Sequence, residues 1–158
     1  MTGEYHFHLE DTKMTTTVRS IVLWRNEIKN QPGALASTLE VFASAGANLQ
    51  IVMGYRYPGN QAKAAVELFP IAGKKLVTAA ETTGFKASGI PTLLVEGSNR
   101  PGLAHAIAEA IADAKINLDF LVAQVIGRRY TAVIGFESVE DAKKASTLIK
   151  KTATRKRK

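Results

Sequence analysis

The chain has no cysteine, which removes disulfides and thiolate-bound metals from consideration at once. Histidine is scarce too, with three in 158 residues. Two of these, His6 and His8, alternate with Tyr5, Phe7 and Leu9 in the pattern of a strand. They could share a metal, but two ligands without a third make a weak site, and an exposed strand face accounts for them as well. The third, His105, falls in the first turns of a helical stretch, with no spaced Ser, Asp or Glu set that would make it part of a nucleophilic arrangement. No Gly-x-x-x-x-Gly-Lys loop is present to cradle a phosphate. We therefore expect no catalytic residue, no metal site, no cofactor and no enzymatic activity. No apolar run approaches the ~18 residues of a membrane span, and the start lacks a basic segment followed by an apolar one. A cytoplasmic protein with no membrane partner is the expectation.

Negative charge is missing from one place in particular. Of the formal net charge of +7, six positive charges lie in the last nine residues, from Lys150 to Lys158, which carry no acidic side chain. The remainder is close to neutral. A basic run without interleaved aromatics reads as a solvated tail, so a nucleic-acid partner is the weaker reading of this charge.

What is present is a sequence that says one thing twice. Asn30-Gln31-Pro32-Gly33 returns as Asn99-Arg100-Pro101-Gly102, and Asn48-Leu49 returns as Asn117-Leu118, all at a constant shift of 69 positions. The same shift matches Glu40 with Glu109, Ala43 with Ala112 and Ala45 with Ala114, giving eight identities over 21 positions without a gap. This is an internal duplication. It divides the chain into an N-terminal extension (1–17) with a possible extra strand, a first unit (18–88), a second unit (89–150) and a basic tail (151–158). Each unit is near the lower limit for an independent core, so the two are expected to lean on each other.

The order of elements within the copies can be read from periodicity. In the first, Val18 to Asn26 reads as one strand, and Pro32 opens a helix whose apolar positions are Leu35, Leu39, Phe42 and Ala43, with Gly46 as its C-terminal cap. Leu49 to Tyr57 and Ala62 to Phe69 read as a hairpin around Pro58-Gly59-Asn60. A helix over Lys74 to Thr83 and a short strand over Phe85 to Ser88 follow. In the second copy the strand Thr92 to Glu96, the helix Pro101 to Ala114, the strands Leu118 to Ile126 and Tyr130 to Glu137, and a helix from Val139 to about Lys150 repeat this order without the last strand. Tyr5 to Leu9 is our candidate to fill that vacant edge, since an unpaired edge invites association.

These residues resemble the ACT domain, a ferredoxin-like βαββαβ module that senses amino acids in regulated metabolic enzymes. The resemblance rests on a strand, Asn-x-Pro-Gly opening an amphipathic helix, a small-residue helix end and Asn-Leu leading into a hairpin. It covers about Arg19 to Lys150 and occurs in both copies. It implies an α+β fold of two ferredoxin-like units, each an antiparallel sheet with helices on one face. In amino-acid-binding members the loop Asn before Pro-Gly and the Asn opening the second strand contact the ligand. Those roles carry over to Asn30 with Asn48, and to Asn99 with Asn117. The sequence departs from some serine-binding members, which have a histidine two positions before the loop Asn, where Ile28 and Gly97 stand here.

Physical chemistry supports the same positions. A helix start exposes unpaired amides at the positive end of its dipole, and Gly33 or Gly102 leaves room for a carboxylate to approach. Asn offers both an acceptor and a donor, so paired Asn side chains can bind an ammonium and a carboxylate without net charge. Each residue also has a structural role open to it, because Asn favours turns and Pro starts helices. The expected ligand-binding set is Asn30, Gly33, Asn48, Asn99, Gly102 and Asn117.

Three functions follow, in order of expectation. The first is a stand-alone regulator that binds a small amino acid, and the second a regulatory subunit held permanently on an amino-acid biosynthetic enzyme. The third is a nucleic-acid-binding protein acting through the tail. A homodimer is expected as well. On the strand Leu118 to Ile126 both alternate faces are largely apolar, and helices can cover only one of them. The other could be covered by a second copy, or within one chain by the first unit or the N-terminal segment.

Overall fold

The protein, described here for residues 15–154 from a computed structural model, is α+β. Its elements run β1 (Thr17–Ile21), β2 (Trp24–Lys29), α1 (Ala34–Ser44), β3 (Ile51–Arg56), β4 (Lys63–Phe69), α2 (Lys74–Thr82), β5 (Lys86–Ala87), β6 (Thr92–Ser98), α3 (Leu103–Asp113), β7 (Leu118–Ile126), β8 (Arg129–Phe136) and α4 (Val139–Thr154). Two four-stranded sheets form, in the orders β3-β4-β2-β5 and β1-β6-β8-β7, and all pairings are antiparallel. Each is the sheet of a ferredoxin-like, ACT-type unit. The first takes all four strands from its own copy, whereas the second takes its fourth from the very start of the described chain.

That exchange corrects the expectation of one continuous strand over Val18–Asn26. The segment breaks at Val22-Leu23 into β1 and β2, which belong to different sheets. β1 lies against β6 from Thr17 opposite Glu96 to Ile21 opposite Thr92, filling the edge that the second copy lacks. The Tyr5 to Leu9 segment, our candidate for that place, lies outside the described residues. β2 goes on to pair with β4 and β5, so two residues carry the chain from one unit to the other. Leu23 at this crossing is fully buried, and its carbonyl accepts from the Ser88 amide at 2.7 Å.

The helices cover one face of each sheet. In the second unit Leu93 and Val95 of β6 and the row Tyr130, Ala132, Ile134 and Phe136 of β8 pack on Leu103, Ile107 and Ile111 of α3 and on Ala142, Ala145 and Ile149 of α4. In the first unit Val66 and Leu68 of β4 pack on Phe42 of α1 and Ala80 of α2, and Phe85 meets the Phe42 ring edge-on at 5.1 Å between centroids. The opposite sheet faces meet each other. Ile21, Leu23, Leu94 and Val133 form a buried cluster, with Phe120 from β7 and Ile51, Met53 and Phe69 from the first unit packed against it.

This junction settles part of the question posed by β7. Its second face is covered within the chain, by the first unit, over Phe120. A bulge between Leu118 and Phe120 sends Leu118 to the helix side and Phe120 to the junction, where the Phe120 ring occupies the space a side chain at Gly135 would need. Beyond it Leu121, Val122, Val125 and Ile126 stay exposed along a sheet edge.

Candidate functional site

The motif Asn-x-Pro-Gly ends up as a tight connection between the first strand and first helix of each unit. Gly33 and Gly102 sit immediately before α1 and α3 with φ of +85° and +76°. A Cβ at either would meet no atom within 4 Å, so glycine is required there by the left-handed backbone and not by crowding within the chain. Neither helix has a side-chain cap. The Ala34 and Leu103 amides donate to the carbonyls of Gln31 and Arg100, both at 3.2 Å, which closes the turn in the same way in each copy.

The two loop asparagines tie this connection to the neighbouring hairpin. The Asn30 amide donates to Ala62 O at 2.9 Å and its side-chain Nδ2 to Gln61 O at 2.7 Å. The Asn99 amide donates to Arg128 O at 2.7 Å. The Asn30 side chain therefore has a structural role, the Asn99 bond is a main-chain one, and both residues line a pocket. The first pocket, of about 200 Å³, is bounded by Asn30, Ala34, Leu35, Gly54, Tyr55 and Arg56 together with β2 and β4 residues. The second, of about 260 Å³, is bounded by Asn99, Leu103, Ala104, Ala123, Gln124 and Val125 together with β6, α3 and β8 residues. Each of the six named residues of one pocket matches its counterpart in the other at the shift of 69. The duplication thus extends from sequence to a pair of equivalent concavities.

The walls of the two differ. Lys29 and Arg56 are the cationic residues of the first pocket's lining, whereas the Tyr55 hydroxyl is turned away from it to Glu67 on the opposite sheet face. The second is walled by Leu103, Ile107, Leu121, Val125 and Tyr130, with Asn99 at its loop end and no charged residue among the described residues of its lining. Burial raises the pKa of Tyr130, whose hydroxyl is 3.3 Å from Thr16 Oγ1. Tyr55 is pushed up to about 12, first by burial and then by its hydrogen bond to Glu67, to which its hydroxyl donates at 2.7 Å. Both phenols are neutral donors at neutral pH.

The expected set divides between two places. Asn30 and Gly33, and likewise Asn99 and Gly102, stand together at the helix starts. Asn48 and Asn117 stand beyond the helix ends, and an 11-residue helix is about 16 Å long, so neither joins the loop asparagine of its own unit. Neither of them lines the two pockets, and the Asn117 side chain donates to Glu137 Oε1 at 2.9 Å. Sequence reasoning passed over Tyr55, Arg56, Gln124 and Val125. Those positions correspond by register but share no residue between the copies, so identity gave no signal. Among the described residues no group of three or more His, Cys, Asp or Glu is placed to hold a metal, and no helix is long and apolar enough to cross a membrane. His6 and His8 lie outside the described residues.

No family profile matches the chain, and no curated protein matches its sequence. Solved structures match its fold. A protein of Bacteroides thetaiotaomicron is similar at a TM-score of 0.65 and 14% identity, over 85% of this chain and 88% of that one. The regulatory subunit of aspartate kinase from Thermus thermophilus is similar at a TM-score of 0.60 and 16% identity, over 87% and 95% of the two chains. The aspartate kinase of Clostridium acetobutylicum, described as an allosteric enzyme, is similar at 0.56 and 13%, over 94% of this chain but 36% of its own. At these identities the likeness is one of fold alone.

Proposed function

We propose that this protein is a regulatory module that binds small amino acids in the pockets beside Asn30 and Asn99. The observation that carries the reading is the pair of repeat-related pockets, each placed where a helix start can receive a carboxylate and a loop Asn can meet an ammonium. The likeness to a regulatory subunit of an amino-acid biosynthetic enzyme supports it. Lys29 and Arg56 favour a ligand with an acidic side chain in the first pocket, and the aliphatic wall of the second favours an apolar one. Ligand binding then shifts the balance between conformations or assemblies through its differential affinity for them.

The protein acts on a partner under this proposal, in the first instance as a homodimer. Exposed Leu121, Val122, Val125 and Ile126 along the β7 edge give a second copy apolar surface to cover. For Asn48 or Asn117 to contact the same ligand as a loop asparagine, that copy has to supply them. The second reading, a subunit associated permanently with a catalytic chain, is favoured by the likeness to a regulatory subunit and calls for co-purification of such a chain.

A thermal-shift screen of the common amino acids followed by calorimetry tests the proposal. The wild type should bind at least one amino acid saturably. Asn99→Ala should weaken the ligand of the second pocket, and Asn30→Ala that of the first, by about 1–3 kcal/mol, roughly ten- to hundredfold in affinity. Equal affinity in the wild type and both variants would remove the site, and binding of no amino acid would leave the duplication as architecture alone.

A further inference from the structure

Where the two sheets meet, the junction holds a buried acid that the packing does not satisfy. Glu67, on the central strand β4, is 1% exposed and points to the sheet face opposite the helices, among Ala65 and Phe69 of its own strand. Its Oε1 accepts from the Tyr55 hydroxyl at 2.7 Å, and the Arg25 Nε stands 4.0 Å away, at the limit of an ion pair. The Arg25 guanidinium is committed elsewhere, donating from Nη2 to the Tyr57 hydroxyl at 2.6 Å and lying 5.6 Å from that ring's centroid. The other oxygen, Oε2, is fully buried and has no hydrogen-bond partner among the described residues.

A carboxylate oxygen left without a donor is costly to bury, and the structure offers a place from which a donor could come. Glu67 lines a cleft of about 610 Å³ between the units. Val52, Met53, Gly54 and Tyr55 of β3 form one wall, Asp119, Phe120 and Val122 of β7 the other, with Ile90 of the connecting segment between them. The cleft therefore has an apolar body and two carboxylates, with no cationic side chain among the described residues of its lining. We propose that this inter-sheet cleft is a binding site for an alkylammonium ligand, its ammonium on Glu67 Oε2 and its alkyl chain against Met53, Phe120 and Val122.

The chemistry selects this class over its neighbours. A guanidinium binds a carboxylate best through both oxygens, and Oε1 is already taken by Tyr55, so the compact ammonium suits the single free acceptor better. A divalent cation would need more oxygen ligands than Glu67 and Asp119 supply and would gain nothing from the apolar walls. This site is separate from the pockets at the helix starts and needs no carboxylate on the ligand. It touches the first of them through Tyr55, which lines both cavities.

Pentylamine, which has the ammonium and chain but no carboxylate, is the probe that separates this inference from amino-acid binding at Asn30 and Asn99. Calorimetry on the full chain should show saturable pentylamine binding in the millimolar range or tighter, with pentan-1-ol bound at least tenfold more weakly. Glu67→Gln should weaken pentylamine at least tenfold. Val122→Trp, placed on the exposed mouth of the cleft, should abolish binding in a protein that keeps its circular dichroism and Tm, which guards against a Glu67 variant that fails to fold. Asn30→Ala and Asn99→Ala should leave it unchanged. No saturable binding, equal binding of the alcohol, or an unchanged affinity in Val122→Trp would overturn the proposal.

Discussion

The two units share a topology and a motif but not a core. Among the described residues, the main core of the second comprises thirteen buried residues from β6, β8, α3 and α4 and the turn after α3, and α4 runs for 16 residues. In the first, the corresponding core has six buried residues, α2 has nine residues in all, and the fourth strand is reduced to Lys86–Ala87. The second unit thus has more burial and a borrowed edge strand, while the first holds a polar group made of Arg25, Tyr55 and Glu67 on its sheet and Tyr57 just past β3. Duplication lets one copy hold the fold while the other carries chemistry that a small core would not tolerate alone. By area, the second unit should be the more stable of the two.

Removing the largest side chain from the smaller core puts the most weight on that comparison. Phe42 is fully buried, and its ring is one half of the edge-on pair with Phe85. Phe42→Ala should cost about 3–5 kcal/mol, a large share of what so small a unit can supply. Native-state hydrogen exchange on this variant should show the β4 amides losing protection while those of β8 keep most of theirs. Equal loss in both sheets would mean that the junction around Leu23 and Leu94 couples the units into one cooperative body, and the contrast between them would fall.

Most element positions were legible because the repeat and the periodicity are local properties. The strand Leu118–Ile126 matches its expected span, and α1 and α3 begin just after the Pro-Gly pairs. The break at Val22-Leu23 was not legible, since Thr-Val-Arg-Ser-Ile-Val-Leu-Trp is uniformly strand-like, contains no Gly or Pro, and gives no sign of which sheet each half will join. Pairing is decided by partners far along the chain. The loop asparagines were legible through their duplication, whereas Glu67 left only a faint mark: one charged residue between Ala65 and Phe69 in the part of β4 that follows Lys63 and is otherwise apolar.

A smaller effect separates the polar sheet from its counterpart by pH. The phenol of Tyr55 is raised from 10.0 to about 12, by burial first and by the hydrogen bond and charge of Glu67 next. The folded state therefore holds this proton more tightly than the unfolded state does. The associated stability is fully present below pH 10 and is lost as the pH rises from 10 towards 12. Since Tyr55 is 41% exposed, solvent screening makes the loss smaller than the shift alone would give. Chemical denaturation across that window should show a decline that Tyr55→Phe makes shallower. An identical decline in the variant would place the alkaline sensitivity elsewhere, with Tyr130 in the second unit, also raised by burial, as the next phenol to test.

The smallest expected effect lies at a position where the copies differ by one residue in the same backbone state. After α1 the chain turns at Gly46 with φ of +82°, and after α3 it turns at Lys115, shifted by 69, with φ of +60°. The helix ends match: Gly46 N donates to Ala43 O and Lys115 N to Ala112 O, both at 2.9 Å, and the next amides, of Ala47 and Ile116, reach back to Phe42 O and Ile111 O. Lysine has a Cβ that disfavours the left-handed region, which glycine adopts without that cost. Lys115 is exposed and its side chain makes no hydrogen bond or ion pair among the described residues, so little is lost with it. Lys115→Gly should therefore stabilise the protein by about 0.5–1 kcal/mol, net of the greater freedom glycine has in the unfolded chain. The reverse change, Gly46→Lys, should destabilise the first unit by a similar amount. Equilibrium denaturation of both variants measures the two effects with opposite signs; the same sign in both would show that the two helix ends, alike in hydrogen bonding, are held by different forces.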